Sequence, residues 1–251
     1  MWASLFGKYF ISSRLFVHFR KVLNRGVALK KMSPKLSGLQ TPLLYLITSG
    51  ETNAQTTPAT EDFQNILRLV EAAVAAGIDL IQIREKQLSA KVFHQLSSNA
   101  AAITRGSSSK LLVNDRADIA TAAGADGVHL TSTSLPPDVI RRTFGADFLI
   151  GVSTHSLEEA TSAGRSGADF IVFGPVFDTA SKRQYGEPVG LEKLRQVSLN
   201  LAPFPVLALG GVTVANAADC IQAGAAGIAA ITMLNDYLAL DQRVQEIRGL
   251  F

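Results

Sequence analysis

The chain contains little sulfur: one cysteine, Cys220, and three methionines among 251 residues. A single cysteine can form neither an internal disulfide nor a multi-cysteine zinc site. It is compatible with a reducing compartment. Long apolar runs are also missing. A membrane span needs about 20 mostly apolar residues, and Arg14, His18, Arg20 and Lys21 break up the apolar stretch near the N-terminus. No small-residue cleavage pattern follows a clean apolar run there, as a secretory signal would require. Glycine (20) and proline (nine) are too sparse for a collagen-like or low-complexity chain.

Negative charge is absent from residues 1–31, which hold seven of the 24 basic residues: Lys8, Arg14, Arg20, Lys21, Arg25, Lys30 and Lys31. The remaining 17 face all 21 acidic residues, so the overall +3 becomes −4 without this tail. The body therefore offers no electrostatic reason to expect nucleic acid as a partner. Three readings of the tail stay open. It resembles a transit peptide in lacking acids, a basic amphipathic surface helix, or an upstream extension with Met32 opening the mature sequence. Residues 30–40 then read as a linker. The expected organisation is a basic extension and linker over 1–40 and one domain over 41–251, with a cytoplasmic location if the tail is not a transit peptide. The composition leaves a homo-oligomer open.

Apolar segments rich in Val, Ile and Leu recur through the body. They are Leu43–Thr48, Asp79–Arg84, Lys110–Asn114, Gly127–Leu130, Phe148–Val152, Phe170–Phe173, Val206–Leu209 and Gly227–Ile231. Helical spacing separates most of them; Ile66, Leu67, Val70, Ala73 and Val74 recur at three and four. Eight strands alternating with helices imply a parallel sheet. At this length the sheet is expected to close as a single eight-stranded (β/α)8 TIM barrel of the α/β class. A weak internal repeat agrees: AGID at 76–79, AGAD at 123–126, SGAD at 166–169 and AGAA at 223–226. Each ends a helix, where glycine tolerates the left-handed conformation, and each opens a strand.

In such a barrel the chemistry sits where strands exit into βα loops. Strand two exits through Gln82, Arg84 and Lys86, which share one face of an extended segment. An amide and two cations there call for an anion or for solvent and ion pairs. Strand three exits through Asn114 and Asp115. Asn114 can donate to a phosphate, and Asp115 can hold a hard cation such as Mg²⁺ or cap the next helix. His129 near the end of strand four reads as a packed or hydrogen-bonded residue rather than a catalyst. Strand five exits through Ser153 and His155, and His155 precedes a helix opening at Ser156-Leu157-Glu158-Glu159. Thr179, Ser181 and Lys182 lie on a long loop after strand six. Gly210-Gly211 and Ile231-Thr232 follow strands seven and eight, where barrels of this kind bind phosphate on backbone N–H groups. The exits divide into a cation-rich site and a backbone-rich one, which suits small phosphorylated substrates.

Residues 43–235 resemble the thiamine phosphate synthase family, which also contains the thiazole tautomerases. The matching segments are QIREK (82–86), VNDRAD (113–118), GADGVHL (124–130), GVSTHSLEEA (151–160), GADFIVFGPVFDTASK (167–182) and LGGVTVANAADCIQAGAAGIAAI (209–231). The resemblance implies a transferase that joins a pyrimidine diphosphate (HMP diphosphate) to thiazole phosphate and releases pyrophosphate. It assigns the diphosphate to Gln82, Arg84, Lys86, Asn114 and Lys182, with Ser153 near the pyrimidine and Mg²⁺ on Asp115. It assigns the thiazole phosphate to Thr179, Ser181, Gly211 and the Ile231-Thr232 backbone. Two positions depart from the family pattern. Ser134 stands where the synthases carry a second carboxylate for Mg²⁺, and Ser181 stands in the usual Thr-x-Thr-Lys run. In the tautomerase branch a barrel histidine, matched here by His155, moves protons on thiazole phosphate. A third alternative is a non-catalytic protein that binds thiazole or thiamine phosphate.

Overall fold

A computed structural model of the chain describes residues 33–179 and 187–251. The basic tail, Ser181 and Lys182 lie outside them. Among the described residues eight strands alternate with eight α-helices. The strands are β1 (Leu43–Ile47), β2 (Leu80–Ile83), β3 (Lys110–Asn114), β4 (Gly127–Leu130), β5 (Leu149–Thr154), β6 (Phe170–Phe173), β7 (Val206–Leu209) and β8 (Gly227–Ala230). The helices are α1 (Glu61–Ala75), α2 (Ala90–Thr104), α3 (Ala117–Ala123), α4 (Pro137–Phe144), α5 (Leu157–Arg165), α6 (Gly190–Leu201), α7 (Val214–Gln222) and α8 (Leu240–Arg248). Each strand pairs in parallel with the next, and β8 pairs with β1 through Leu43 opposite Gly227. The (β/α)8 expectation holds. No described helix is long and apolar enough to cross a membrane.

Closure buries each strand on both faces, which is why strand sequences such as Leu-Leu-Tyr-Leu-Ile are almost uniformly apolar. Leu44 and Leu46 point outward into the helix-facing core with Phe63, Val70 and Ile81. Leu43, Tyr45 and Ile47 point inward with Leu80, Leu112, Leu149, Phe170 and Leu207. The inner wall is uneven by design of its residues. Gly151 leaves room that the Phe170 and His129 rings fill, since a Cβ there would lie 2.8 Å from His129 Nδ1 and closer still to Phe170.

The repeat read from the sequence has two structural duties. Its glycines, Gly77, Gly124, Gly167 and Gly224, all adopt positive φ at helix ends. Its aspartates join neighbouring strands at the N-terminal face. The Asp79 carboxylate accepts from Leu44 N at 2.8 Å, Asp126 from Leu111 N at 2.9 Å and Asp169 from Ile150 N at 2.9 Å. Asp79 and Phe148 therefore precede their strands rather than belonging to them, and β5 runs two residues further than expected.

The stretch expected to be linker is, from Ser33 onward, part of the packed structure. Pro34–Leu36 forms a 3-10 turn whose Leu36 side chain is buried in the inner core, with Leu39 beside it. Lys35 Nζ reaches Asp169 at 2.9 Å and Phe148 O at 2.9 Å. Arg141 meets the same carboxylate at 2.7 Å. Removing one partner of a buried ionic cluster leaves the others uncompensated. Asp169→Asn is expected to cost about 3 kcal/mol, read as a lower denaturant midpoint with an unchanged m-value. An unaltered midpoint would mean that the Pro34–Leu36 turn and α4 are not held through this carboxylate.

Candidate active site

The C-terminal mouth of the barrel gathers the polar residues that the strands carry. At the exit of β2, Gln82 is buried inside the barrel and Arg84 is half-buried, while Lys86 is exposed. Glu85 points the other way and is also buried. Its carboxylate accepts from Thr48 Oγ1 at 2.6 Å, Thr52 Oγ1 at 2.7 Å, Gly50 N at 3.2 Å and Thr52 N at 3.3 Å. These bonds fold the loop after β1 against β2. Arg84 is held from both ends: its N–H donates to Thr48 Oγ1 at 2.8 Å, and its guanidinium lies over Gly50.

At the exit of β3 the chain turns sharply. Asn114 is buried, and Asp115 is exposed with φ at 61°, the one non-glycine positive φ among the described residues. Such a conformation is costly for a residue with a side chain and persists where the surroundings impose it. Here Asp115 N–H donates to His129 O and Arg116 N–H to Asn114 O, at 2.9 and 2.7 Å. The cap position of α3 falls on Arg116. Asp115 is thus not the cap that its sequence position allowed.

Five side chains from five strands connect across the mouth. Gln82 Nε2 donates to Asn114 Oδ1 at 3.0 Å, and Tyr45 Oη lies 3.2 Å from Gln82 Oε1. The same Oη lies 3.1 Å from His129 Nδ1, and His129 Nε2 lies 2.9 Å from Ser153 Oγ. Burial raises the Tyr45 pKa well above its usual value of 10.0. Burial, assisted by the Arg84 charge, lowers that of His129 from 6.5 to about 3. Both are neutral near pH 7.

The opposite side of the mouth is backbone-rich. The loop after β6 lies on the loop after β7, with Val176 N–H donating to Leu209 O at 2.8 Å and Phe177 N–H to Gly210 O at 3.0 Å. Gly211 has φ at 64°, and a Cβ there would come within 2.7 Å of Asp178 O. Any side chain at 211 would push this loop away. Asn235 Nδ2 ties Ile231 O to Ile47 O, both at 2.7 Å, fixing the β8 exit beside β1 just before the 3-10 turn Thr232–Leu234.

A family model described as thiamine monophosphate synthase matches residues 44–234. The chain belongs to the thiamine monophosphate synthase family. It is 45% identical to a Geobacter sulfurreducens protein over 171 residues, covering 68% of this chain and 80% of that one. It is 39% identical to the thiamine-phosphate synthase of Roseiflexus castenholzii, covering 67% and 74%. Among solved structures it resembles thiamine phosphate pyrophosphorylase from Pyrococcus furiosus, with a TM-score of 0.70 at 29% identity over 83% and 94% of the two chains.

Within this family fold the mouth brings Gln82, Arg84, Asn114, Asp115 and Ser153 to one side and Thr179, Gly211, Ile231 and Thr232 to strand exits on the other. His155 stands at the rim. Its ring Nδ1 contacts Gly174 O, and its N–H donates to the Glu159 carboxylate at 2.7 Å while Ser156 Oγ accepts from Glu159 N. Ser156 is thus the cap of α5, the helix opening that the sequence suggested. Ser134 turns into its own loop, accepting from Thr131 N at 2.7 Å. Asp118, another carboxylate near β3, is clamped by Arg116 at 2.6 Å. No cluster of three or more potential metal-ligating His, Cys, Asp or Glu exists among the described residues.

Neither Tyr45 nor Glu85 stood out in the sequence, whereas His129 is the packed and hydrogen-bonded residue expected there. A signal existed for Tyr45: a buried tyrosine hydroxyl in an apolar strand has to find a partner. The lowered His129 pKa has a consequence for stability. Below pH 6.5 the unfolded chain takes up a proton at this site that the folded chain refuses until about pH 3. Stability should therefore fall as pH drops through that window, by up to about 1.4 kcal/mol per pH unit from this group. His129→Asn should lose that part of the slope in denaturant titrations; an equally steep slope in the variant would refute the assignment.

Proposed function

We propose that this chain is a thiamine phosphate synthase: it joins HMP diphosphate to thiazole phosphate and releases pyrophosphate. The observation that carries this reading is the grouping of Arg84, buried Asn114 and strained Asp115 on the adjacent exits of β2 and β3. A cation, an amide and a carboxylate in one corner suit a diphosphate with its metal; a thiazole isomerase has no use for them. The family membership supports it independently.

In this reading the diphosphate lies against Arg84, Lys86 and Asn114, and Lys182 is a further cation that the family resemblance assigns to it. The pyrimidine sits over Gln82 and Ser153. The thiazole phosphate takes the backbone-rich side, at Gly211 and Ile231-Thr232 with Thr179 and Ser181. The C–O bond to the diphosphate breaks, and the pyrimidine ring delocalises the methylene cation. The thiazole nitrogen then attacks that carbon. Cations fixed beforehand around the leaving oxygens stabilise the charge that develops there. The new nitrogen is quaternary and has no proton to shed, so a neutral His129 is adequate: it orients and does not titrate.

Mg²⁺ fits the residues in a restricted way. It commonly binds through one or two carboxylates, with substrate phosphates and water completing its shell. Asp115 is the protein residue that would hold it; Ser134 and Asp118 are engaged elsewhere. When bound, the ion would neutralise charge on the departing diphosphate. The reading includes the cytoplasmic location expected from the sequence.

The full chain, supplied with both substrates, should form thiamine phosphate only with Mg²⁺ present. Arg84→Ala and Lys182→Ala should each reduce kcat/KM by about a hundredfold or more, as expected when one partner of a desolvated charge pair is lost. His155→Ala should leave most of the coupling intact. Near-normal turnover in both cation variants would overturn the proposal. No coupling at all, together with thiazole proton exchange that His155→Ala removes, would make the chain a tautomerase.

A further inference from the structure

The five polar side chains across the mouth form one hydrogen-bonded file, and each link has a direction. Gln82 donates its amide N–H to Asn114 Oδ1, which turns Gln82 Oε1 toward the Tyr45 hydroxyl. A tyrosine hydroxyl carries one proton. Once it is given to Gln82, the Tyr45 oxygen can only accept, and His129 Nδ1 at 3.1 Å must be the donor. A neutral imidazole has one donor and one acceptor nitrogen. Nε2 is then the acceptor, and Ser153 Oγ at 2.9 Å gives it the only proton it has. The two outer ends are opposite in character. Asn114 has its oxygen occupied and presents N–H donors, whereas Ser153 has its proton occupied and presents lone pairs.

We infer that this file reads the diphosphate and the amino group of the pyrimidine substrate with one set of protons, and that Tyr45 is the positioning residue that keeps the file's two ends opposite in character. The inference rests on the proposed reaction and specifies its recognition. The pyrimidine diphosphate carries two groups of opposite demand on neighbouring ring carbons: the diphosphate arm, whose anion needs a donor, and the exocyclic 4-amino group, which needs an acceptor. Reversing the file would turn a carbonyl toward the diphosphate and a hydroxyl proton toward the amino group, setting like against like at both places. An anion on Asn114 therefore selects the direction that makes Ser153 an acceptor.

Tyr45 is the link through which both halves communicate. It is fully buried, and its ring meets Phe170 edge-on at 5.6 Å. Phenylalanine keeps that packing and deletes only the hydroxyl. In Tyr45→Phe, His129 Nδ1 has no acceptor, the ring is free to take its other tautomer, and Ser153 is free to donate.

The test uses the full chain with Mg²⁺ and two ligands, the diphosphates of 4-amino- and of 4-oxo-5-hydroxymethyl-2-methylpyrimidine. The 4-oxo compound puts a carbonyl acceptor where the substrate has a donor. Calorimetry on the wild-type protein should favour the amino ligand by roughly tenfold to a hundredfold, the usual effect of leaving one buried polar pair mismatched. In Tyr45→Phe the preference should shrink by about fivefold or more. A merely structural tyrosine would weaken both ligands alike, and an unchanged ratio overturns the inference. A second measurement needs no variant: ¹⁵N NMR of His129 in the wild-type protein should show the Nδ1–H tautomer, and the Nε2–H tautomer would overturn the inference on its own. If the amino ligand binds but the tautomer is reversed, the inference fails and the proposed reaction stands. If the wild-type protein binds neither diphosphate, the proposed substrate and the inference fall together.

Discussion

A polar group buried in an apolar barrel without a partner costs about 1–3 kcal/mol. Gln82, Asn114, Tyr45 and His129 are all buried at the mouth of this one, so they have to satisfy one another. They do so across strands far apart in sequence: Tyr45 meets Gln82 over 37 positions and His129 over 84. That requirement fixes where β1 to β5 must end relative to one another. It also fixes the inner wall beneath, where Gly151 leaves the space into which the His129 and Phe170 rings fit. The site and the barrel's upper layer are thus one packed arrangement.

The two faces of the barrel divide their tasks. At the N-terminal face, aspartates that open strands bond to the backbone of the preceding odd-numbered strand, and the Leu36 turn closes the bottom. Charges there are consumed in pairs: Asp169 by Lys35 and Arg141, Asp79 by Arg248. At the C-terminal face the corresponding economy is broken on purpose of chemistry. Glu85 takes its donors from the β1 loop and leaves Arg84, next to it, lying over Gly50 with its charge acting on His129. A negative charge so close to a needed cation would otherwise pair with it. Satisfying Glu85 by hydroxyls and backbone keeps it in place without that pairing.

Much of this is legible in the amino-acid sequence. The apolar segments and the glycine-ended repeat specified eight βα units, and strand edges differed by one or two residues, as at Asp79, whose carboxylate has another partner. Polar residues stood out at the exits because the short buried strands that carry them are otherwise apolar. The readings that did not survive were those where one residue type serves two purposes. Asp115 had the position of a helix cap, but its positive φ and the cap at Arg116 remove that role. The segment before Gln40 had the composition of a linker, yet one leucine in it fills the barrel's open bottom.

Periodicity, helix ends and residue chemistry are local properties, so the sequence by itself determined the barrel, its order of strands and the polar character of the strand exits. Which polar group bonds to which is not local. Tyr45, His129 and Ser153 become a file only when barrel closure brings β1, β4 and β5 around a common interior. With one hydrogen per link, the direction of its protons is then a single choice for the whole file. Only the tertiary structure decided these things, because satisfying buried donors and acceptors is a condition on the whole mouth and not on any segment of it.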